Sequence, residues 1–344
     1  MRTDGIGTTR PDDRSRRKSR RSTLEISAAI GTVLAVFEVY VLLRWVLSPN
    51  FTPVRIGPTP VPTWMKAAAI AAQALFVLIF LVLVGRFVVR PWRREGTVGF
   101  DGLLIIGSLL TSVYDASSAY FHPWFTYNSY LLNMGNPAAS LPGWQSHSQP
   151  GETIAWPILF FPLLYGIVFL GVSAFGCWIM RGIRSRWPEL PAVGLVAVCY
   201  VVMVLSSIVL EGQLFMRLGL YLETGWSIDF LDSTYSHNPL RNMLLFGVLF
   251  TGLSSLRFFK NDRGQTLVER GSERFGMRSR KALALRALGV FAAVQIIIGV
   301  GYHLPMALTT LAFPDARWSN VMVDNSYLND QICGVGTPRP CPGH

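Results

Sequence analysis

Charged residues are scarce in this chain, and no stretch is both polar enough and long enough to form a soluble domain. Asp, Glu, Lys and Arg make up 15% of the 344 residues, whereas 51% are hydrophobic. With a mean hydropathy of +0.37, this composition indicates a membrane protein. Crossing the hydrocarbon layer takes about 20 apolar residues. Seven such runs are present: Leu24–Leu47, Met65–Val89, Phe100–Phe121, Ile154–Met180, Pro191–Leu210, Asn242–Phe259 and Ala287–Thr310.

Lys and Arg are absent from His122 to Thr153, and this absence belongs to a charge asymmetry along the whole chain. If the seven runs alternate in direction, 24 of the 31 Lys and Arg residues fall on one side of the bilayer. Cytoplasmic loops of membrane proteins carry such an excess. We therefore predict an all-α, polytopic bundle of about seven transmembrane helices with a cytoplasmic amino terminus, placed in the cell membrane as a multi-pass protein. Its predicted parts are a basic cytoplasmic segment (residues 1–23), the transmembrane domain (residues 24–310) and an extracytoplasmic tail (residues 311–344).

The net charge of +11 does not call for a nucleic-acid partner. The basic run Arg14–Arg21 contains no aromatic residue of the kind that a nucleic-acid platform uses. Because it precedes the first apolar run, we expect it to fix the topology and to contact anionic lipids. The expected partners are membrane lipids and no nucleic acid, and the sequence does not determine the oligomeric state.

Cysteines are few, and the spacings of metal-binding motifs are absent. Cys177 and Cys199 lie inside apolar runs and are expected to act as small hydrophobic residues. Cys333 and Cys341 lie in the predicted outer tail, where a disulfide is plausible. The chain has no H-E-x-x-H, H-x-x-x-H or Cys-x-x-Cys motif. We predict no metal site, and we predict no cofactor because the chain has no Walker A loop or nucleotide-binding glycine motif.

Few acids lie within the apolar runs, and an acid buried in a membrane usually faces a partner or a cavity. Glu25 follows Ser22 by three residues, so we assign it to a helix-capping box. Glu38 lies near the middle of the first run, where it forms either an interhelical hydrogen bond or part of a binding site. Glu211 lies at the outer end of the fifth run and is either solvated at the headgroups or catalytic.

Asp115 and His122 occupy the outer end of the third run. Seven residues make nearly two turns of an α-helix, so a continuous helix would project both side chains from one face, about 10 Å apart. Ser118 lies between them and leaves room for a ligand or for another helix. The alternative roles are a buried hydrogen bond for Asp115 and an interfacial position for His122. The substrate-binding candidates are Glu38, Tyr114, Ser118, Tyr120, Trp124 and His303.

Asp232 and His237 precede the sixth run and complete the catalytic candidates, although such polar residues often only form turns and helix starts. All five histidines fall in the outer half of the predicted topology. We therefore expect the reactive face to be the outer one.

Four long strings in the chain are distinctive enough to indicate a family. They read SLLTSVYDASSAYFHPWFTYNSYLLNMGNP, GWQSHSQPGETIAWPILFFPLLYG, SSIVLEGQLFMRLGLY and DSTYSHNPLRN. The chain resembles, over nearly its whole length, the AveC-type spirocyclases of avermectin and milbemycin macrolide biosynthesis. This resemblance implies a membrane enzyme that closes a dihydroxy-ketone segment of a polyketide macrolactone into a spiroketal of defined stereochemistry, with optional dehydration of one ring in the avermectin type. It assigns no catalytic residue.

The resemblance and the buried acids together suggest a mechanism. Expelling water from a hemiketal near neutral pH requires a carboxylic acid that is still protonated, and apolar surroundings favour that form. Asp115 fits this need, Glu211 or Asp232 would stabilise the cation, and His122 or His237 would serve as the base in dehydration. The competing hypothesis is a membrane protein that binds or transports a lipophilic metabolite.

Overall fold

The computed structural model describes residues 22–145, 154–225, 233–235, 239–276, 279–313 and 318–341. These residues form a helical bundle with short strands at one end. The α-helices are α1 (Thr23–Val46), α2 (Thr63–Val84), α3 (Arg90–Glu95), α4 (Phe100–Gly107), α5 (Phe161–Arg186), α6 (Ala192–Ser207), α7 (Leu240–Phe258), α8 (Arg280–Ile298), α9 (Leu304–Ala312) and α10 (Asn320–Asp324). The strands are β1 (Phe125–Tyr127), β2 (Asn133–Gly135), β3 (Ala155–Pro157) and β4 (Tyr221–Glu223). Three π-helical segments extend α2, α6 and α8: Gly85–Val89, Ile208–Met216 and Gly299–His303.

Among the described residues, six helical segments are long and apolar enough to cross a membrane: Thr23–Val46, Thr63–Glu95, Phe100–Ala119, Phe161–Arg186, Ala192–Met216 and Arg280–Ala312. They correspond to six of the seven predicted runs, and the prediction of a helical membrane bundle is confirmed. The remaining run forms the 19-residue helix α7. This helix carries Arg241, Asn242 and Arg257 near its ends, so it is less apolar than the other six.

The third run is not one continuous α-helix. Helix α4 ends at Gly107, and 3₁₀ turns lie on both sides of Asp115, at Thr111–Tyr114 and Ala116–Ala119. Because 3₁₀ turns repeat every three residues, the prediction that Asp115 and His122 project from one face of an α-helix was wrong.

Hydroxyl side chains explain why the α-helix stops there. Ser108 donates to the carbonyl of Leu104 at 2.7 Å, and Thr111 donates to that of Ser108 at 2.7 Å. Ser118 donates to the carbonyl of Asp115 at 2.5 Å. Such bonds compete with the helical backbone ladder. The apolar run alone did not predict this break.

The fourth run also begins differently from its prediction. Residues 155–157 form strand β3, and α5 begins only at Phe161, with Pro162 in its first turn. A proline lacks the backbone donor that a helix interior needs, but it suits the first turn. Pro162 therefore lies in the first turn of α5, where its missing backbone donor interrupts no helical hydrogen bond.

Close backbone contacts hold the bundle together. Gly31 of α1 lies against the backbone of α8, since a Cβ at this position would meet the Leu288 carbonyl oxygen at 2.1 Å. Gly176 of α5 lies against Ser254 of α7, which donates to the carbonyl of Val172 at 3.3 Å. Small residues permit this approach between membrane helices.

The predicted capping box is also present, because the Ser22 amide donates to Glu25 at 2.7 Å.

The short strands and the carboxyl-terminal segment cover one end of the bundle. Strand β1 pairs antiparallel with β4, and β2 pairs antiparallel with β3. A disulfide joins Cys333 to Cys341, as the sequence suggested. Thr126, in the middle of β1, donates to the carbonyl of Leu328 at 2.5 Å. The tail therefore packs directly on the strand layer.

Candidate functional site

A cavity of about 40 Å³ lies under strands β1 and β4, between α5, α7 and the π-helical segments of α6 and α8. Most of its lining is aromatic or aliphatic, and three carboxyl groups face it. The lining residues are Asp115, Trp124, Phe125, Tyr127, Phe161, Leu164, Tyr165, Val168, Phe169, Glu211, Tyr221, Glu223, Phe246, Phe250 and Tyr302.

Strand alternation determines which side chains of the sheet reach the cavity. In the β1–β4 register, Phe125 pairs with Glu223 and Tyr127 pairs with Tyr221. Since successive side chains of a strand point to opposite faces, these four share the cavity face. Thr126 lies on the other face, where it contacts the tail. The sheet therefore acts as the roof of the cavity.

Helix periodicity supplies one wall. Phe161, Tyr165 and Phe169 of α5 are spaced four residues apart and form one stripe along the helix. Phe246 and Phe250 of α7 follow the same rule. These rings exclude water from most of the cavity surface and leave the carboxyl groups as its main polar features.

Asp115 is buried, with 4% of its surface exposed, and three side chains surround its carboxyl group. The Tyr165 hydroxyl donates to Oδ1 at 2.5 Å, and the Tyr127 hydroxyl donates to Oδ2 at 3.3 Å. The Nε2 atom of His303 lies 3.4 Å from Oδ1. Each phenol comes from a different element, so the carboxyl group is held by contacts that only the folded bundle provides.

Glu211 lies in the π-helical segment that continues α6, where it accepts a hydrogen bond from the Tyr221 hydroxyl. His303 and Tyr302 lie in the corresponding segment that continues α8. Such departures from α-helical geometry are frequent at functional sites because they re-aim side chains. Two of the three π-helical segments in the described part of the chain thus contribute to this region.

Glu223 stands in strand β4 and has polar partners of its own. The Asn242 side-chain amide donates to its Oε2 atom at 2.6 Å, and Oδ1 of the same amide accepts from Arg241 Nε at 2.9 Å. Burial raises the pKa of Glu223 to about 7, although the Asn242 hydrogen bond and the charge of Arg241 act in the opposite direction. Glu223 therefore titrates near neutral pH.

Burial and the nearby Asp115 raise the pKa of Tyr127 well above its usual value, so Tyr127 remains a hydrogen-bond donor.

The structure brings several predicted site residues together. Asp115, Glu211 and Trp124 line the cavity, and His303 contacts Asp115. Ser118 accepts a hydrogen bond from Trp124 Nε1 at 3.1 Å and so supports the wall.

Other predicted site residues lie apart from the cavity lining. Glu38 is fully buried between helices, where it accepts from Gln295 at 3.4 Å and interacts with Tyr114. The Tyr120 ring packs against Phe121 and Trp144. His122 is half-buried and is not a lining residue. Asp232 and His237 lie outside the described residues.

Sequence reasoning missed Glu223 and the tyrosines Tyr127, Tyr165, Tyr221 and Tyr302. The available signal was the alternation in FTY and YLE, which is typical of strands with one buried face. Three residues are too few to establish that period, and Leu222 lies 96 positions after its partner Thr126 along the chain.

Among the described residues, no group of three or more His, Cys, Asp or Glu side chains is arranged to hold a metal ion. The polar groups that face the cavity are carboxyls and phenols. Such groups donate and accept protons, and they suit a substrate that carries hydroxyl and carbonyl oxygens.

Fold and site together define a polytopic membrane helix bundle with a buried cavity that bears carboxyl groups. The model of the family described as "Spirocyclase AveC-like" matches residues 92–326, and every lining residue of the cavity falls within that range. The match covers more than half of the chain, so the chain belongs to the AveC-like spirocyclase family. No curated protein and no solved structure matches the chain.

Proposed function

We propose that this protein is a spirocyclase of the cell membrane. It closes a dihydroxy-ketone segment of a polyketide macrolactone into a spiroketal of defined stereochemistry, with loss of one water molecule. The observation that carries the proposal is the Asp115 carboxyl group, which faces an aromatic cavity and is held by the hydroxyls of Tyr127 and Tyr165. Membership of the family supports the reaction class.

The first half of the reaction forms a cation. One substrate hydroxyl adds to the ketone and gives a hemiketal. Asp115 then donates its proton to the hemiketal hydroxyl, the C–O bond breaks, and water leaves an oxocarbenium ion. A carboxyl group can perform this step only while it holds a proton, and a site that excludes water favours the neutral acid.

The second half captures the cation. The carboxylate of Glu223 stabilises the positive charge, as the second carboxylate of a glycosidase does. The remaining substrate hydroxyl attacks the oxocarbenium carbon, and Glu223, whose pKa is about 7, accepts the proton that this hydroxyl releases. Proton exchange between the carboxyl groups then restores the starting state, so the only net loss is one water.

The aromatic walls give the reaction its stereochemistry and protect the cation. Spiroketals also close in acid without an enzyme, so the protein must hold one conformer of the substrate for attack on one face. Rings such as Phe161, Phe169 and Phe250 exclude water that would otherwise capture the oxocarbenium ion. Their faces also stabilise a nearby positive charge.

Optional dehydration of one ring belongs to the same proposal. That step requires a base that removes a proton from the carbon next to the ketone carbon, while a hydroxyl on the following carbon leaves as water. His122 and His237 were the candidates from the sequence. His303 joins them, since it is buried beside Asp115 at 3.4 Å.

The test compares two buried acids in protein reconstituted into membranes with the uncyclised macrolactone. Asp115→Asn should lower the rate of spiroketal formation by about 100-fold or more, because a general acid contributes about 10²–10⁴-fold. Glu38→Gln is the matched control, since Glu38 is equally buried but does not line the cavity, and it should remain within about three-fold of the wild-type protein. Normal rate and stereochemistry in Asp115→Asn would remove this acid from the mechanism.

The same assay in detergent separates an enzyme from a transporter or binding protein. Product formed by the purified protein without an ion gradient supports catalysis. Tight binding of the macrolactone without any conversion would instead support the binding function.

A further inference from the structure

Strand β1 pairs with β4 along one edge, and the carboxyl-terminal tail accepts hydrogen bonds along its other edge. Toward β4, Asn128 donates to the Leu220 carbonyl at 3.0 Å, and Thr224 donates to the Trp124 carbonyl at 2.7 Å. The backbone amide of Tyr127 points the other way, where it donates to Oδ2 of Asp330 at 3.1 Å. One side chain of the tail therefore replaces a neighbouring strand at this position.

Asp330 occupies a buried position beside the edge of β1. Its side chain is fully buried, and its carboxyl group also interacts electrostatically with the backbone of Ala155 in β3, so it lies between the two small sheets. Asp330 and Gln331 adopt left-handed conformations, with φ of 50° and 57°. This conformation is uncommon for non-glycine residues, although Asp adopts it more readily than most.

We propose that Asp330 is a positioning residue, which fixes the backbone of Tyr127 so that the phenol of Tyr127 reaches the carboxyl group of Asp115. The proposal rests on the proposed function, because it assigns to Asp330 a part in orienting the general acid. The tail segment of residues 318–341 thereby belongs to the site, although no tail residue lines the cavity.

The geometry makes Tyr127 sensitive to small displacements. Its hydroxyl lies 3.3 Å from Asp115 Oδ2, longer than the roughly 2.5–3.0 Å usual for a hydroxyl hydrogen bond. A shift of β1 by a few tenths of an ångström would break that contact. The Tyr165 hydroxyl, at 2.5 Å, would remain, so Asp115 would stay buried but lose one of its two phenolic donors.

Other contacts attach β1 to the tail, so loss of Asp330 should leave the fold intact. Thr126 donates to the Leu328 carbonyl at 2.5 Å, and the Ser129 amide donates to the Tyr327 carbonyl at 2.9 Å. Beyond Asp330, the Cys333–Cys341 disulfide closes the tail. The effect of Asp330 should therefore be local to Tyr127.

Two substitutions separate the hydrogen bond from the backbone conformation. Asp330→Gly removes the acceptor, and glycine adopts a φ of 50° without strain. Asp330→Asn keeps an acceptor oxygen for the Tyr127 amide. Since burial raises the pKa of Asp330 to about 8, the neutral amide also resembles the acid at pH 7.

The experiment is a double-mutant cycle between Asp330→Gly and Tyr127→Phe in the spirocyclase assay, with unfolding temperatures in detergent as the check on folding. Asp330→Gly should lower kcat by about 10-fold with little change in KM, since small misplacements of catalytic groups are costly. In the Tyr127→Phe background the same substitution should change kcat by less than about two-fold, because the contact through which it acts is already gone. Asp330→Asn should restore most of the rate.

An equal loss of kcat in both backgrounds would overturn the proposal, as would a wild-type kcat in Asp330→Gly. A second readout needs no turnover: the infrared carboxyl band that disappears in Asp115→Asn should shift in Asp330→Gly and in Tyr127→Phe, and an unmoved band in Asp330→Gly contradicts the positioning role. If the wild-type protein formed no spiroketal while the band shifted as expected, the proposed function would fail and the positioning role would stand.

Discussion

Glu223 illustrates how burial rather than a nearby charge sets the chemistry of a single residue. It is 1% exposed, and its neighbours Asn242 and Arg241 only partly offset the removal of water. The same residue was beyond the reach of sequence reasoning. The sequence indicates Asp115 and Glu211 as candidates because an acid in an apolar run is unusual. Glu223 lies in a loop-like stretch, where acids are common and give no such signal.

The raised pKa of Glu223 predicts a pH dependence of stability. The pKa rises from 4.5 in the unfolded chain to about 7 in the folded protein. Between these two pH values the folded state keeps a proton on Glu223 that the unfolded state has released. The contribution of Glu223 to the free energy of unfolding should therefore fall by about 3 kcal/mol as the pH rises from 4.5 to 7. Glu223→Gln should flatten this slope when thermal unfolding in detergent is followed across that range.

Asp330 adds a slope of the same sign, because its pKa rises from 3.8 to about 8, and this part should persist in Glu223→Gln. Glu273→Gln provides the control, since Glu273 lies in an exposed pair with Arg263. The interpretation of Glu223 is contradicted if the slope in Glu223→Gln equals that of the wild-type protein.

At the scale of elements, the apolar runs predicted the long helices well. They did not predict the short strands that cover one end of the bundle. Runs of about 20 apolar residues have few alternatives to a helix in a membrane, because every backbone group must be satisfied within the segment. The strands β1 and β4 are three residues each and depend on each other across the chain. The 3₁₀ turns around Asp115 depend on side-chain hydroxyls that hydropathy does not weigh.

The contact between α5 and α7 carries a prediction at this scale, because both helices line the cavity. A Cβ at Gly176 would meet Ser254 Oγ at 2.1 Å and Ser254 Cβ at 2.5 Å, so α7 would have to move. Gly176→Ala should destabilise the protein by about 1–3 kcal/mol, as overpacked cores do. Thermal unfolding in detergent measures the change.

Gly171 supplies the matched control on the same helix. A Cβ there meets nothing within 4 Å. Gly171→Ala should therefore be neutral or stabilising by up to about 1 kcal/mol, because alanine favours a helix more than glycine does. Equal unfolding temperatures for the two variants would show that the helices are not packed as closely as described.

At the scale of the whole molecule, the sequence predicted the class of the protein and its family, while the cavity needed the structure. The helical membrane bundle and the AveC-like family are both confirmed. The cytoplasmic position of the amino terminus stays a prediction from charge asymmetry, and a disulfide in the opposite tail is in keeping with it. The cavity joins side chains from five separated parts of the chain, a combination that no local pattern contains.

The central claim is that Asp115 protonates the oxygen that leaves the substrate. The most direct test is a cryo-electron microscopy structure of the Asp115→Asn protein with the uncyclised macrolactone bound. The account predicts the dihydroxy-ketone segment in the cavity, with the ketone or hemiketal oxygen within about 2.6–3.2 Å of the side chain at position 115. A macrolactone bound elsewhere, with that cavity closed to it, would contradict the account.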